Sequence, residues 1–255
     1  MGKLIDVAPP GPSASATVRE STAGGHVSGQ ESTAGGHVSG QESRVAAIGF
    51  MPLPIAEHCN NQAISAEGEI RSGRFNVWGN SFPAADLPEP GGRVQVAGIP
   101  FDFPVHGVGG DNIRCDGQLV EVPPGHWDWL HLLAAAERRT EDTVALHFES
   151  GDVDFEALRV SDFWAAQARF GEERAFGSTV MHYPHHVQPR LSALIWGQRV
   201  PVTRQQRLTA VRLPRNVAIH VFALTLQTAL TLQSAPTLQS APTLQSVDAG
   251  GGVSA

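Results

Sequence analysis

Residues 99–136, IPFDFPVHGVGGDNIRCDGQLVEVPPGHWDWLHLLAAA, constrain the chain most. Ile99, Phe101 and Phe103 alternate with other residues, as a strand with one buried face requires. The glycines at 107, 109 and 110 break the pattern and open a loop. Leu119, Val120 and Val122 resume strand character, and Pro123-Pro124-Gly125 reads as a hard turn. Residues 127–136 form an apolar run of strand type. The stretch is the centre of an all-β domain.

The chain has 255 residues, 41% of them hydrophobic, enough for one sizeable β domain with a buried core. Charged residues make up 17% and the formal net charge is -7, so the basic footprint of a nucleic-acid binder is absent. No apolar run approaches the roughly 20 residues that span a bilayer, and no membrane association is expected. The N-terminus carries no apolar segment of a secretory signal, which points to a cytoplasmic protein; a different start site would make it secreted. The two cysteines, Cys59 and Cys115, are expected as buried free thiols.

Low-complexity segments flank the domain. The unit ESTAGGHVSGQ at residues 20–30 repeats without change at 31–41. Each copy holds only Ala and Val among Gly, Ser and Thr, too little apolar surface to offset the entropy of ordering. Residues 1–43 are therefore expected as a disordered tail, with His26 and His37 the one weak metal-binding pair in it. Thr-Leu-Gln recurs at Thr225, Thr231, Thr237 and Thr243, with Pro236 and Pro242 opposing strand pairing, so residues 228–255 are expected as a second disordered tail.

Between the tails, residues 44–55 give a short strand that stops at Pro52, and 84–87 has room for one helical turn. Residues 137–142 are a charged hairpin loop. Residues 143–149 and 153–160 alternate around the Ser150-Gly151-Asp152 turn and form a hairpin. Residues 161–174 (SDFWAAQARFGEER) are the one fair helix, with Ser161 or Asp162 as N-cap and Gly171 as terminator. Strand character resumes at 175–181, residues 182–189 (HYPHHVQP) are a loop, and three strands follow at 191–202, 207–213 and 217–226. About ten strands with one short helix argue a jelly-roll β-sandwich over residues 44–227.

The order of Asn60-Asn-Gln-Ala-Ile-Ser65, Asn80-Ser-Phe-Pro83, Gly98-Ile-Pro-Phe-Asp-Phe-Pro104, Asp111-Asn112 with Gly117-Gln118, Leu130-His-Leu-Leu-Ala-Ala-Ala136 and Val221-Phe-Ala-Leu-Thr-Leu226 resembles β-sandwich accessory domains of bacterial, especially actinobacterial, glycoside hydrolases. Those domains are similar to galactose-binding-like jelly rolls. The resemblance implies a non-catalytic carbohydrate-binding or interdomain-packing role.

Sugar binding uses an aromatic ring against the C–H face of a pyranose, with a few polar side chains for orientation. Of the five tryptophans, Trp129 and Trp196 lie in strands and are assigned to the core, and Trp78 is available besides. Trp127 and Trp164 are the candidate platforms, with Asn80, Asp111, Asn112 and His185 as polar partners. Asn60 and Asp111 supply hard oxygen donors for a structural Ca²⁺, with turn capping as the alternative. His182, His185 and His186 lie in one loop, where two imidazoles could share a transition metal; this is the basis of a competing reading as a small metal-dependent enzyme of a biosynthetic pathway. A third reading is a structural or protein-interaction domain. His131, inside an apolar strand, is expected as a satisfied core histidine. Asp152, Asp154 and Glu156 share one strand face, where like charges would raise one carboxyl pKa, and they are read as a solvated strand face and not as a catalytic pair. No nucleophile elbow or phosphate-binding loop is present, and no catalytic residue is assigned.

Overall fold

Alternating and doubly apolar segments take up strand structure throughout the computed structural model, which describes residues 45–107, 109–228 and 231–233. The strands are β1 (Val45–Ala47), β2 (Phe50–Pro52), β3 (Ile64–Ser65), β4 (Phe82–Pro83), β5 (Arg93–Val96), β6 (Ile99–Asp102), β7 (Ile113–Arg114) and β8 (Leu119–Gly125), then β9 (Trp129–Ala136), β10 (Thr140–Phe148), β11 (Val153–Val160), β12 (Glu173–Tyr183), β13 (His186–Pro201), β14 (Leu208–Arg212), β15 (Ile219–Gln227) and β16 (Thr231–Gln233). The only helical pieces among the described residues are short 3₁₀ turns at Ala56–His58, Glu67–Ser72 and Ala84–Asp86, the last where the sequence allows one turn. No helix of the described residues is long and apolar enough to cross a membrane.

Two sheets form the sandwich. One has the order β11-β10-β14-β8; the other has β12-β13-β9-β15-β2, with β7 also on β15. The chain passes between them after β7, β8, β9, β11, β13 and β14, while β10–β11 and β12–β13 are hairpins within one sheet. Apart from the two-residue β7, the first sandwich strand, β2, thus lies beside the last, β15, and the next, β8, lies beside the last but one, β14. That wrapping is the jelly roll. The all-β sandwich expected from the sequence is the fold observed, with more strands than expected, the additional ones only two to four residues long and β12 and β13 longer than expected.

The sandwich interior is filled from both layers. Val120, Val144, Leu146, Leu158 and Val211 of the smaller sheet meet Leu130, Leu132, Trp196, Leu224 and Leu226 of the larger one. Strands β9 and β15 are apolar on both faces because the larger sheet is covered twice. Its outer face carries Leu133, Ala135, Ile195 and Phe222, and these pack under Ile64, Phe75, Phe82, Phe101 and Phe103. Phe75 sits at the middle of this second layer, edge-on to Phe82 at 5.1 Å and to Phe163 at 5.0 Å.

Several local expectations are corrected. Residues 161–172 form turns and bends, not a helix. Buried Glu172 accepts hydrogen bonds from the Ser161 N–H (2.6 Å), the Ser161 hydroxyl (3.0 Å) and the Phe170 N–H (3.0 Å), while Ser161 Oγ accepts from the Arg169 N–H (2.8 Å). A carboxylate that collects both Ser161 groups from eleven residues away, and the Phe170 N–H from two, competes successfully with helix formation for these backbone groups. Of the residues expected as a hairpin loop, 137–139 join β9 to β10 between the two sheets as a crossover, and 140–142 already belong to β10. Residues 182–189 are largely strand: only Pro184 and His185 form the turn between β12 and β13. Pro123 and Pro124 stay in β8, which tolerates them as an edge strand. Thr231–Gln233, within the expected C-terminal tail, pairs antiparallel with Val45–Ala47. The repeat at residues 20–41, with His26 and His37, and residues 234–255 lie outside the described residues.

Candidate functional site

The second layer does not cover the whole outer face of the larger sheet. In β9 the outward residues run Trp129, His131, Leu133, Ala135, and only the last two lie under the aromatic layer. Beyond that boundary lies a cleft of about 630 Å³. Its walls are the β5–β6 turn, the start of β9, the end of β13, the second half of β11 and the loop carrying Phe170 and Gly171.

Pairing fixes the floor. On β13, Gly197 faces Glu173, Arg199 faces His131 and Pro201 faces Trp129. The Arg199 guanidinium lies over the Trp129 ring, 4.4 Å from its centroid. Gly197 leaves room here: a Cβ on it would stand 3.3 Å from Val96 Cγ1, pressing on the hairpin that forms one wall. His131 is buried, and its Nε2 lies 2.7 Å from Gln227 Oε1, so that contact assigns the ring proton to Nε2 and leaves Nδ1 as an acceptor. Burial holds its pKa below the ordinary histidine value, with the Arg199 charge acting the same way and the Gln227 bond opposing them. The expected core histidine is therefore satisfied by a hydrogen bond, and it also lines the cleft.

The candidates named from the sequence lie elsewhere. Trp127 is half-buried against the sandwich core beside Gly125, so its ring is not presented. Trp164 is 53% exposed and stacks on Phe163 at 5.2 Å, outside the cleft lining. Asn80 is buried. Asp111 is fully buried, and its carboxylate accepts from the N–H groups of Ala63 (2.8 Å) and Ile64 (3.0 Å) and from Asn112 Nδ2 (2.8 Å). Asn112 Oδ1 accepts from His220 Nδ1 at 2.9 Å, and Asn60 spends its side chain on the Arg114 backbone. Those oxygens are already used in tying residues 60–64 to 111–114, so turn anchoring replaces the Ca²⁺ site. Burial raises the Asp111 carboxyl to about 6, against the opposing effect of its hydrogen bonds.

The three loop histidines do not converge. His182 is buried with Nδ1 2.8 Å from Ser65 Oγ, His185 is exposed in the β12–β13 turn, and His186 stacks on Tyr183 at 5.0 Å. Among the described residues no three His, Cys, Asp or Glu side chains come together as metal ligands would. The strand-face carboxylates are corrected too. A hydrogen bond from Arg204 holds Asp154 below the ordinary carboxyl value, and bonds from Gln206 and Ser150 with the Arg204 charge do the same for Asp152. Cys59 and Cys115 are both free. Trp196 is in the core as expected, whereas Trp129 lines the cleft.

The sequence does carry a signal for the missed site. Along one face of WLHLLAAA an aromatic and an imidazole precede two apolar residues, which marks where the covering layer ends.

Residues 50–230, well over half of the chain, match the family model of the AziU2-like beta-sandwich domain. No curated protein matches the sequence.

Proposed function

Because this chain belongs to the AziU2-like β-sandwich domain family, we propose that it is a non-catalytic module that binds a carbohydrate, or a similarly polar small molecule, in the cleft beside Trp129. The observation that carries the reading is the uncovered end of the larger sheet. There an aromatic ring, a guanidinium, an imidazole and two glutamates converge on a cavity of ligand size, about 630 Å³. The jelly-roll order adds to it, as the architecture expected from the resemblance to galactose-binding-like domains. The metal-dependent enzyme alternative loses its support with the separation of His182, His185 and His186.

The test is calorimetric titration with a panel of mono- and oligosaccharides, using Trp129→Ala and Gly197→Val as controls. At least one saccharide binds saturably, and both variants weaken it. Absence of binding across the panel overturns the reading.

A protein-interaction role has one observation of its own. Val77 and Trp78, 79% and 72% exposed, stand on a turn that Asn76 braces by accepting from the Trp78 N–H at 3.0 Å. If they form a contact surface between copies of the chain, Trp78→Ser shifts the size-exclusion position; no shift removes that reading.

A further inference from the structure

The cleft's polar groups divide into those already used and those left for a ligand. Arg159 is paired with Glu141 at 3.1 Å. Gln198 donates to the Arg159 carbonyl (2.6 Å) and accepts from the Arg199 N–H (2.8 Å), so its amide is occupied. The Arg199 side chain is different. It is laid on Trp129, and none of its guanidinium N–H groups has an acceptor among the described residues. Glu173 likewise has no hydrogen-bond partner there, and Glu156 has only a long contact of 3.4 Å from Thr203 Oγ1. His131 offers Nδ1. The cleft therefore presents the Arg199 guanidinium, laid on Trp129 and without a counter-charge in hydrogen-bond reach, and three acceptors, while the Arg159 charge is paired with Glu141.

Resting on the binding reading above, we propose that the ligand is a singly anionic, polyhydroxylated molecule of the uronic-acid or sugar-sulfate kind. Its carboxylate or sulfate oxygens accept from Arg199, and its hydroxyls donate to Glu173, Glu156 and His131 Nδ1. A planar guanidinium held against an aromatic ring is pre-oriented for two parallel hydrogen bonds to an oxyanion. Ordering of the side chain, otherwise a cost of binding, is largely met before the ligand arrives. The acceptors match hydroxyl donors, and the two glutamates repel a second anionic group.

Nitrogen-15 NMR of the full chain tests this, following Arg199 Nε and Trp129 Nε1 during titration with D-glucuronate, D-glucose, D-glucosamine and sodium sulfate at constant ionic strength. D-Glucuronate is expected to bind about tenfold or more tightly than D-glucose, the discrimination of a charge-assisted hydrogen bond, with sulfate moving the same two signals. Arg199→Ala erases the preference while glucose binding persists, and Arg199→Lys, which keeps charge but not the fork, falls between. Equal binding of glucose and glucuronate, or tighter binding of glucosamine, overturns the anionic assignment and leaves the binding reading standing. If none of the four probes moves any cleft signal, this proposal falls with the reading it rests on.

Discussion

Glu172 is the point where the chain gives up a helix for a loop, and removing it measures what that choice is worth. The carboxylate accepts three hydrogen bonds, two from backbone N–H groups and one from the Ser161 hydroxyl, at 2.6 to 3.0 Å in a buried position. Hydrogen bonds to a charged group contribute about 1.5–3 kcal/mol each, and a buried N–H left without an acceptor costs about 1–3 kcal/mol. Glu172→Gln keeps one acceptor oxygen and sets an amide N–H against a donor, so the expected loss is about 2 kcal/mol. Glu172→Ala removes every acceptor. The half-buried Phe170 N–H can turn to water, which keeps the loss below the simple sum, at about 3–5 kcal/mol. With a urea dependence of about 2 kcal/mol per molar, the Ala variant moves the unfolding midpoint down by about 2 M and the Gln variant by about 1 M. Tryptophan fluorescence follows the transition. Phe170 and Gly171 line the cleft, so on the proposed binding role the same variants weaken saccharide binding as well. A midpoint shift in Glu172→Ala equivalent to less than about 1 kcal/mol would refute this account of the loop. So would a gain of helical signal in the far ultraviolet on restoring Glu172.

Two more outcomes follow from single groups. Burial raises the Asp111 carboxyl from the ordinary carboxyl range to about 6, so between about pH 4 and 6 the folded chain keeps a proton that the unfolded chain releases. Its contribution to stability therefore falls as pH rises through that window, by about 3 kcal/mol in all, and subtracting the profile of Asp111→Asn from that of the parent isolates the slope; identical slopes would contradict it. Ala97 has φ of 50° beside Gly98 at 80° in the two-residue β5–β6 turn, a mirror-image turn that requires positive φ at both positions. Ala97→Gly removes about 1 kcal/mol of steric cost, less the entropy Gly adds to the unfolded chain, and calorimetry should show a melting temperature no lower than the parent's.

Much of the fold was legible because strand alternation is a local signal. The β10–β11 hairpin shows in Val144, Leu146 and Phe148 alternating with polar residues up to the Ser150-Gly151-Asp152 turn. The single helical turn near Ala84 shows between prolines, and Trp196 reads as core from its apolar strand. The 161–172 segment was not legible, because its helical spacing is outweighed by Glu172 reaching back to Ser161. Asp111 reads from sequence as an oxygen donor open to a cation, but its neighbours Ala63 and Ile64 lie 48 and 47 residues away in the chain.

The pattern of residues by itself determined the class: alternating side chains broken by glycine and proline bury one face and so demand a second sheet. Only the tertiary structure decided where the cleft opens. Trp129 and Leu133 occupy the same outward face of β9, and the change there from aromatic and imidazole to apolar residues does not by itself make one of them floor and the other core. The aromatic layer from residues 64–103 covers Leu133 and stops short of Trp129, and exposure is a property of what distant chain lays on top.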